Sequence, residues 1–155
     1  NGPNQLNKFN NEKINRRDLL DEPKIENAIT ESGVRENLNE GIEYLAFWII
    51  GTGCCVVNYL MADAATCEVS RVQLWTWLKY KAELEDGRIV DEKLIDELMQ
   101  DELKKINKRF SDWKKRTGDK TFDGVSFENA AKIFKNMISK ENFDDFLTLP
   151  LYEKL

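Results

Sequence analysis

The sequence predicts an all-α fold of about five helices, and three observations carry that prediction. Apolar residues recur at spacings of three and four over most of the chain from Thr30 onward. Capping residues and glycines stand where those periodic stretches begin and end. No stretch of useful length alternates apolar and polar residues as a half-buried strand would.

Residues 1–29 are polar and irregular, with Pro3, Pro23 and several asparagines, and they suit a linker whose short apolar anchor is Leu19-Leu20. Residues 30–155 form the helical domain. Its first helix begins at Thr30 and sets Val34, Leu38, Ile42, Leu45 and Ile49 on one face, and Gly51 and Gly53 are natural stops. Residues 54–62 form an apolar connector, either a short buried strand or an ordered loop. A second helix follows Asp63, with Ala65, Val69, Val72 and Trp75 expected on its inner face. A turn falls at residues 85–88. Asp91 then has the character of an N-cap, with Val90 and Ile95 spaced as a hydrophobic staple. The third helix carries Leu94, Leu98, Leu103, Ile106, Phe110 and Trp113 and should be the longest, ending at residues 117–120. Ser126 caps a fourth helix running through Ile138, and a short fifth is expected from Glu141 to Leu147, before Pro150.

A chain of 155 residues is long enough for one domain with a real core. Its 23 basic and 28 acidic side chains give a net charge of −5 with the signs mixed along the chain, which speaks for solubility and against a nucleic-acid partner. The basic clusters Lys104-Lys105 and Lys114-Lys115-Arg116 alternate with acids and suit solvated helix faces, as does the acidic run from Glu83 to Asp86. The longest apolar run, Tyr44 to Ile50, is far too short to cross a bilayer, so no membrane partner is expected. With no histidine, the chain holds no Ser-His-Asp or Cys-His nucleophile system and no His-ligated zinc site of its own. The three cysteines make no Cys-x-x-Cys pair and fit free thiols in a reducing compartment. The chain opens at Asn1 without an initiating Met, as a piece of a longer polypeptide would.

Leu60-Met61-Ala62-Asp63-Ala64-Ala65-Thr66 is the most unusual segment, because it sets one carboxylate among small apolar residues directly before a helix. The plain reading of Asp63 is a helix N-cap that accepts backbone N–H bonds. From the residues alone no function follows. Glu68 and Arg71, three apart, suit a modest ion pair on the same helix. Trp48, Trp75, Trp77 and Trp113 could offer a stacking surface for a nucleotide, but their setting among Leu and Ile favours core or interdomain packing.

A resemblance adds to this reading. Thr30-Glu31-Ser32-Gly33-Val34-Arg35-Glu36-Asn37, Gly41-Ile42-Glu43-Tyr44-Leu45-Ala46-Phe47-Trp48 and Gly51-Thr52-Gly53-Cys54 resemble the C-terminal domain of the malate synthase family, in its A-type or glyoxysomal-like branch. The densest match is Leu60 to Arg71, continuing through Gln73-Leu74-Trp75-Thr76-Trp77-Leu78, against a family pattern of Met-Glu-Asp-Ala-Ala-Thr, Glu-Ile-Ser-Arg and a Gln-Leu-Trp-Gln-Trp-like run. The match is dense over residues 30–80 and weaker beyond. Asn1 to Leu6 resembles the family's segment leading out of its barrel.

The resemblance implies a glyoxylate-cycle enzyme that condenses acetyl-CoA with glyoxylate and water to malate and CoA. It implies a partner too: a TIM barrel, not in this chain, that binds Mg²⁺ and glyoxylate and is capped by the helical domain. The family's catalytic aspartate falls on Asp63, which would take a proton from the acetyl methyl group, while a barrel arginine would stabilise the enolate. A base on one domain and the metal on another make catalysis conditional on domain closure. The 155-residue chain alone should then be inactive, with an exposed apolar patch around Asn58 to Asp63 where the barrel would sit. Ala62 departs from the family, which commonly has Glu there, and Cys55-Val56-Val57 replaces Val-Pro-Ile. Cys54 aligns with a cysteine near the family's active site, and the bland alternative is a small buried hydrophobe. Glu153-Lys154-Leu155 partly resembles a peroxisomal Ser-Lys-Leu tail, so the expected compartment is peroxisome, glyoxysome or cytoplasm. The competing expectation is a helical packing module that kept the family's sequence without its catalysis, for which the Ala62 change is the main support.

Overall fold

In the computed structural model of the chain, residues 2–8, 11, 13–20, 28–118 and 120–152 are described. The elements are α1 (Arg16–Leu20), α2 (Glu31–Ile49), β1 (Cys55–Val57), β2 (Leu60–Ala62), α3 (Ala64–Lys79), α4 (Glu92–Thr117), α5 (Phe127–Ile138) and α6 (Leu149–Tyr152). The fold is helical, as expected, with one small antiparallel hairpin added.

Short polar side chains start the helices by accepting N–H groups that have no partner within the helix. Thr30 Oγ1 accepts from Gly33 N at 2.9 Å, Asp91 Oδ1 from Leu94 N at 2.8 Å, and Ser126 Oγ from Asn129 N at 3.2 Å. The expected staple pair, Val90 and Ile95, is buried around the Asp91 cap. α4 stops at Gly118, whose left-handed backbone (φ 66°) lets its N–H reach Lys114 O.

α2 is the centre of the bundle and packs against α3, α4, α5 and the hairpin. Val34, Leu38, Ile42 and Leu45 are fully buried, as the spacing predicts. They share one core with Leu94, Leu98 and Ile106 of α4 and with Ala130, Phe134 and Met137 of α5. The Phe134 ring of α5 packs directly on Gly41 of α2, where an added Cβ would lie 2.1 Å from Phe134 Cζ. One end of the core is a cluster of four phenylalanines, Phe47, Phe110, Phe122 and Phe127, with ring centres 4.6 to 6.3 Å apart.

Three expectations are corrected. The inner face of α3 is Cys67, Ser70, Arg71 and Leu74, while Ala65, Val69 and Val72 face solvent. The reason is Arg71, which is fully buried. Its Nε donates to Glu68 Oε2 at 3.0 Å, and its Nη2 donates to Glu68 Oε1 and, at 2.8 Å, to Asp144 O. Its guanidinium lies on the Phe143 ring. An arginine held by Glu68, Asp144 and Phe143, though its Nη1 is buried without a hydrogen-bond partner, thus takes a core position that an apolar count assigns elsewhere, and the expected modest pair is a buried one.

Residues 141–147 form bends and turns instead of a helix. Side chains of α3 hold carbonyls in and beside this stretch: Trp75 Nε1 donates to Lys140 O at 2.7 Å and Arg71 to Asp144 O. The short helix comes later, as α6, with Pro150 in its first turn, where a missing N–H costs nothing. Leu19 and Leu20 anchor nothing that is described: α1 has no buried residue, and both leucines are exposed. Much of the rest of the expected linker, like the tail Glu153-Lys154-Leu155, lies outside the described residues.

Candidate active site

The connector at 54–62 folds into a hairpin that delivers Asp63 to the start of α3. Cys55 pairs with Ala62, Val56 with Met61 and Val57 with Leu60. The two turn residues, Asn58 and Tyr59, have positive φ of 49° and 66°, the sign required by the tight turn that best matches strand twist. Asn58 Nδ2 donates to Asn39 Oδ1 at 3.2 Å and so ties the turn to α2. Val57 and Ala62 are buried, Cys55 packs partly buried against the core, and the other apolar residues of the hairpin are exposed. Tyr59 is 99% exposed, Leu60 74% and Met61 66%, and on α3 Val69 is 57% exposed. An apolar surface therefore flanks Asp63 on both its hairpin and helix sides, in the place expected.

Asp63 is half-buried at the N-cap of α3. Its Oδ1 accepts from Ala65 N at 2.9 Å, from Thr66 N at 3.1 Å and from Thr66 Oγ1 at 3.3 Å. No donor among the described residues reaches Oδ2. One oxygen fixes the carboxylate by the helix end and the other remains available, which suits a group that must hold its direction while exchanging a proton.

Behind Asp63, α2 contributes Glu40 and Tyr44, one turn apart. Burial above all, then the neighbouring Cys67 and Asp63, push Tyr44 up to about 12. Its hydroxyl donates to Gly53 O at 3.3 Å. Burial pushes the Cys55 thiol up to about 12, with Glu43 and Glu40 adding to the rise, and burial raises Cys67 as well. These two are inert thiols at neutral pH. Cys54 is exposed, which corrects the alternative of a buried hydrophobe, and lies in the wall of an apolar cavity of about 250 Å³ with Phe47, Phe110 and Phe122.

Glu43 is 1% exposed and pairs with Arg109 of α4. Burial raises this carboxyl and Arg109 opposes the rise. Arg109 also borders a groove of about 570 Å³ beside the hairpin, shared with Val56, Tyr59, Trp113 and Arg116. Of the four tryptophans only Trp113 lines it, with the Arg116 guanidinium 5.3 Å from its ring centre. Trp48 and Trp77 pack against the core, and Trp75 bridges to Phe143. Sequence reasoning passed over Glu40 and Glu43, because a carboxylate buried on a helix face has the same one-letter signature as an exposed one.

Among the described residues no group of three or more His, Cys, Asp or Glu side chains is placed to hold a metal ion. No described helix is long and apolar enough to cross a membrane.

Residues 28–155 match the family model described as malate synthase, C-terminal. The whole chain aligns with longer curated proteins. It is 40% identical over 155 residues to a malate synthase of Myxococcus xanthus, covering 99% of this chain and 27% of that protein. It is 35% identical over 161 residues to a glyoxysomal malate synthase of Cucurbita maxima, covering 100% of this chain and 27% of that protein. Against malate synthase A of Escherichia coli the identity is 33% over 126 residues, covering 81% of this chain and 22% of that protein. The chain thus spans about a quarter of the length of these relatives.

Proposed function

The chain belongs to the malate synthase C-terminal domain family, and from that premise we propose that it supplies the general base, Asp63, to a malate synthase. The reaction is the condensation of acetyl-CoA with glyoxylate and water to malate and CoA. The observation that carries this reading is the Asp63 carboxylate, held through Oδ1 by the α3 N-terminus and left free at Oδ2, in the middle of an exposed apolar surface.

A methyl group beside a thioester is a very weak acid, so the base needs fixed aim and the enolate needs stabilisation as it forms. Asp63 takes one methyl proton, and the electron pair of that C–H bond forms the new carbon–carbon bond to the aldehyde carbon of glyoxylate, whose C=O π pair moves onto oxygen and takes up a proton to become the malate hydroxyl. Water then cleaves the thioester, which releases CoA and leaves malate. The helix end that holds Oδ1 keeps the carboxylate oriented and ionised before the substrate arrives.

The partner of the apolar surface is a barrel domain in the same polypeptide. Leu60, Met61 and Val69 would be covered when the two close, which excludes water from Asp63. The Mg²⁺ that the family resemblance implies does not fit this chain, whose described residues gather no ligand set. Its ligands and the enolate-stabilising arginine are assigned to the barrel, so the isolated chain has no synthase activity. The compartment is a peroxisome or glyoxysome, in keeping with the relatives named glyoxysomal, or the cytoplasm.

The alternative, a packing module without catalysis, is favoured by the Ala62 departure and by the hydrogen bonds of Asp63, which are those of an ordinary cap. CoA release from acetyl-CoA with glyoxylate and Mg²⁺, measured on the full-length protein and its Asp63→Asn variant, decides between them. The base reading expects a fall of several orders of magnitude with folding intact. Equal rates would make Asp63 a cap and nothing more.

A further inference from the structure

Two glutamates lie one turn apart on α2, and they are treated differently. Glu43 is buried with Arg109 as its ion-pair partner. Glu40 Oε1 is also buried, yet no hydrogen-bond donor reaches it, and no cation among the described residues pairs with the side chain. The residue as a whole is half-buried, and a carboxyl oxygen placed where no donor reaches it favours the neutral form of the group.

The surroundings of Glu40 point the same way. From its own helix come Glu43 and Tyr44, from β1 Cys55, from the junction before α3 Asp63, and from α3 Cys67. Apart from Glu43, with its arginine, the charged neighbour is Asp63. Burial, then Glu43, then Asp63 hold the Glu40 carboxyl above the usual glutamate value. Two carboxyl groups that share one site do not ionise independently: the charge of one favours the proton on the other.

We propose that Glu40 is a positioning residue for Asp63, holding a proton beside the base so that the closed site carries one carboxylate charge instead of two. The assignment rests on Asp63 being the base. Its consequence is chemical. The enolate formed from the thioester is an anion, and a second charged carboxylate next to it would oppose its formation. A proton kept on Glu40 removes that opposition while Asp63 remains free to accept. When Asp63 takes the methyl proton the negative charge moves to the enolate, and Glu40 keeps its own proton through that step.

Two experiments test this. The first is a carboxyl-carbon NMR titration of the chain, whose core is closed by its own helices, for the natural sequence and for Asp63→Asn. Glu40 should titrate above the ordinary glutamate range, and its midpoint should fall when the Asp63 charge is removed. An ordinary midpoint, or one that Asp63→Asn does not move, overturns the proposal. The second is the pH profile of kcat/KM in the full-length enzyme. The natural enzyme should lose rate as pH rises through the Glu40 midpoint, and Glu40→Gln, which is permanently uncharged, should lack that loss. A Gln variant that keeps the loss, or that is slowed equally at every pH while still folded, also overturns it. An active Asp63→Asn enzyme sinks the base reading instead, whatever the titration gives, so the two failures are distinguishable.

Discussion

The guanidinium of Arg71 lies 3.7 Å from the centre of the Phe143 ring, and this stack fastens α3 to the segment that follows α5. The same guanidinium holds Glu68 and the Asp144 carbonyl. One buried side chain therefore fixes α3 along the turn that follows Asp63.

Replacing Arg71 by Ala leaves Glu68 without its cation and Asp144 O without its donor. Removing one partner of a buried pair costs about 3–5 kcal/mol, so urea unfolding of Arg71→Ala should show a loss of that order. Arg71→Met should lose less, because it keeps apolar volume against Phe143. A loss under about 1 kcal/mol for the alanine variant would mean that the pair behaves as an exposed one.

Gly41→Ala should destabilise the domain by about 1–3 kcal/mol, as overpacking does. The added Cβ meets Phe134 Cζ at 2.1 Å, in the middle of the core. Phe134→Leu makes room, so the glycine substitution should cost less in that background. A double-mutant cycle measures the difference, and additive costs would show that the ring is not the obstacle.

Cap and base can be separated at Asp63. Asn caps helices about as well as Asp, so Asp63→Asn should leave thermal stability nearly unchanged, whereas Asp63→Ala should lose about 1 kcal/mol. In the full-length enzyme both should lose turnover alike. Activity that followed stability, spared in Asn and lost in Ala, would mark a structural role.

The raised carboxyl of Glu40 carries a stability prediction. Because its value is raised on folding, the native state holds more protons than the unfolded chain above the ordinary glutamate value of 4.5. Stability from this group is full below that pH and falls as pH rises through the native value. Glu40→Gln should therefore gain melting temperature over the natural chain at neutral pH and lose that advantage below pH 4.5. An advantage constant with pH would come from something other than the charge.

The thiols should differ in reactivity. Cys54 is exposed, Cys55 is half-buried with its thiol pushed up to about 12, and Cys67 is buried. Iodoacetamide at pH 8 should modify Cys54 alone in the native chain and all three cysteines in denaturant. Mass spectrometry of the native protein reads this directly, and early labelling of Cys67 would show that α3 opens readily.

The parts of this fold that were legible in the sequence are those fixed by local chemistry. Asp91, Ser126 and Gly118 bound their helices because capping needs only a short side chain or a left-handed backbone at one position. The face of α2 was legible because its apolar spacing is unbroken, although packing also buries Glu43 beside it, paired with Arg109 of α4. The face of α3 was not, because Arg71 is held by Glu68, Asp144 and Phe143, two of them over seventy residues away. The stretch at 141–147 was misjudged for the same reason, since its carbonyls are held by a distant helix. Asp63 was legible as a cap from its neighbours, and as a base only through resemblance. Glu40 left no trace at all, because only packing makes its carboxyl different from the other glutamates.

α4 runs for 26 residues, about 39 Å at the usual rise, but its last buried residue is Ile106 and its last core contact is Phe110. Beyond that point the helix projects past the bundle like an outrigger, braced by Lys114 against Asp123 and by its own backbone. Its two ends should therefore exchange amide hydrogens by different routes. The Asp91 end can open only with the whole domain, and the Gly118 end can unwind while the core stays shut. A single unbroken helix thus carries well protected backbone at one end and weakly protected backbone at the other.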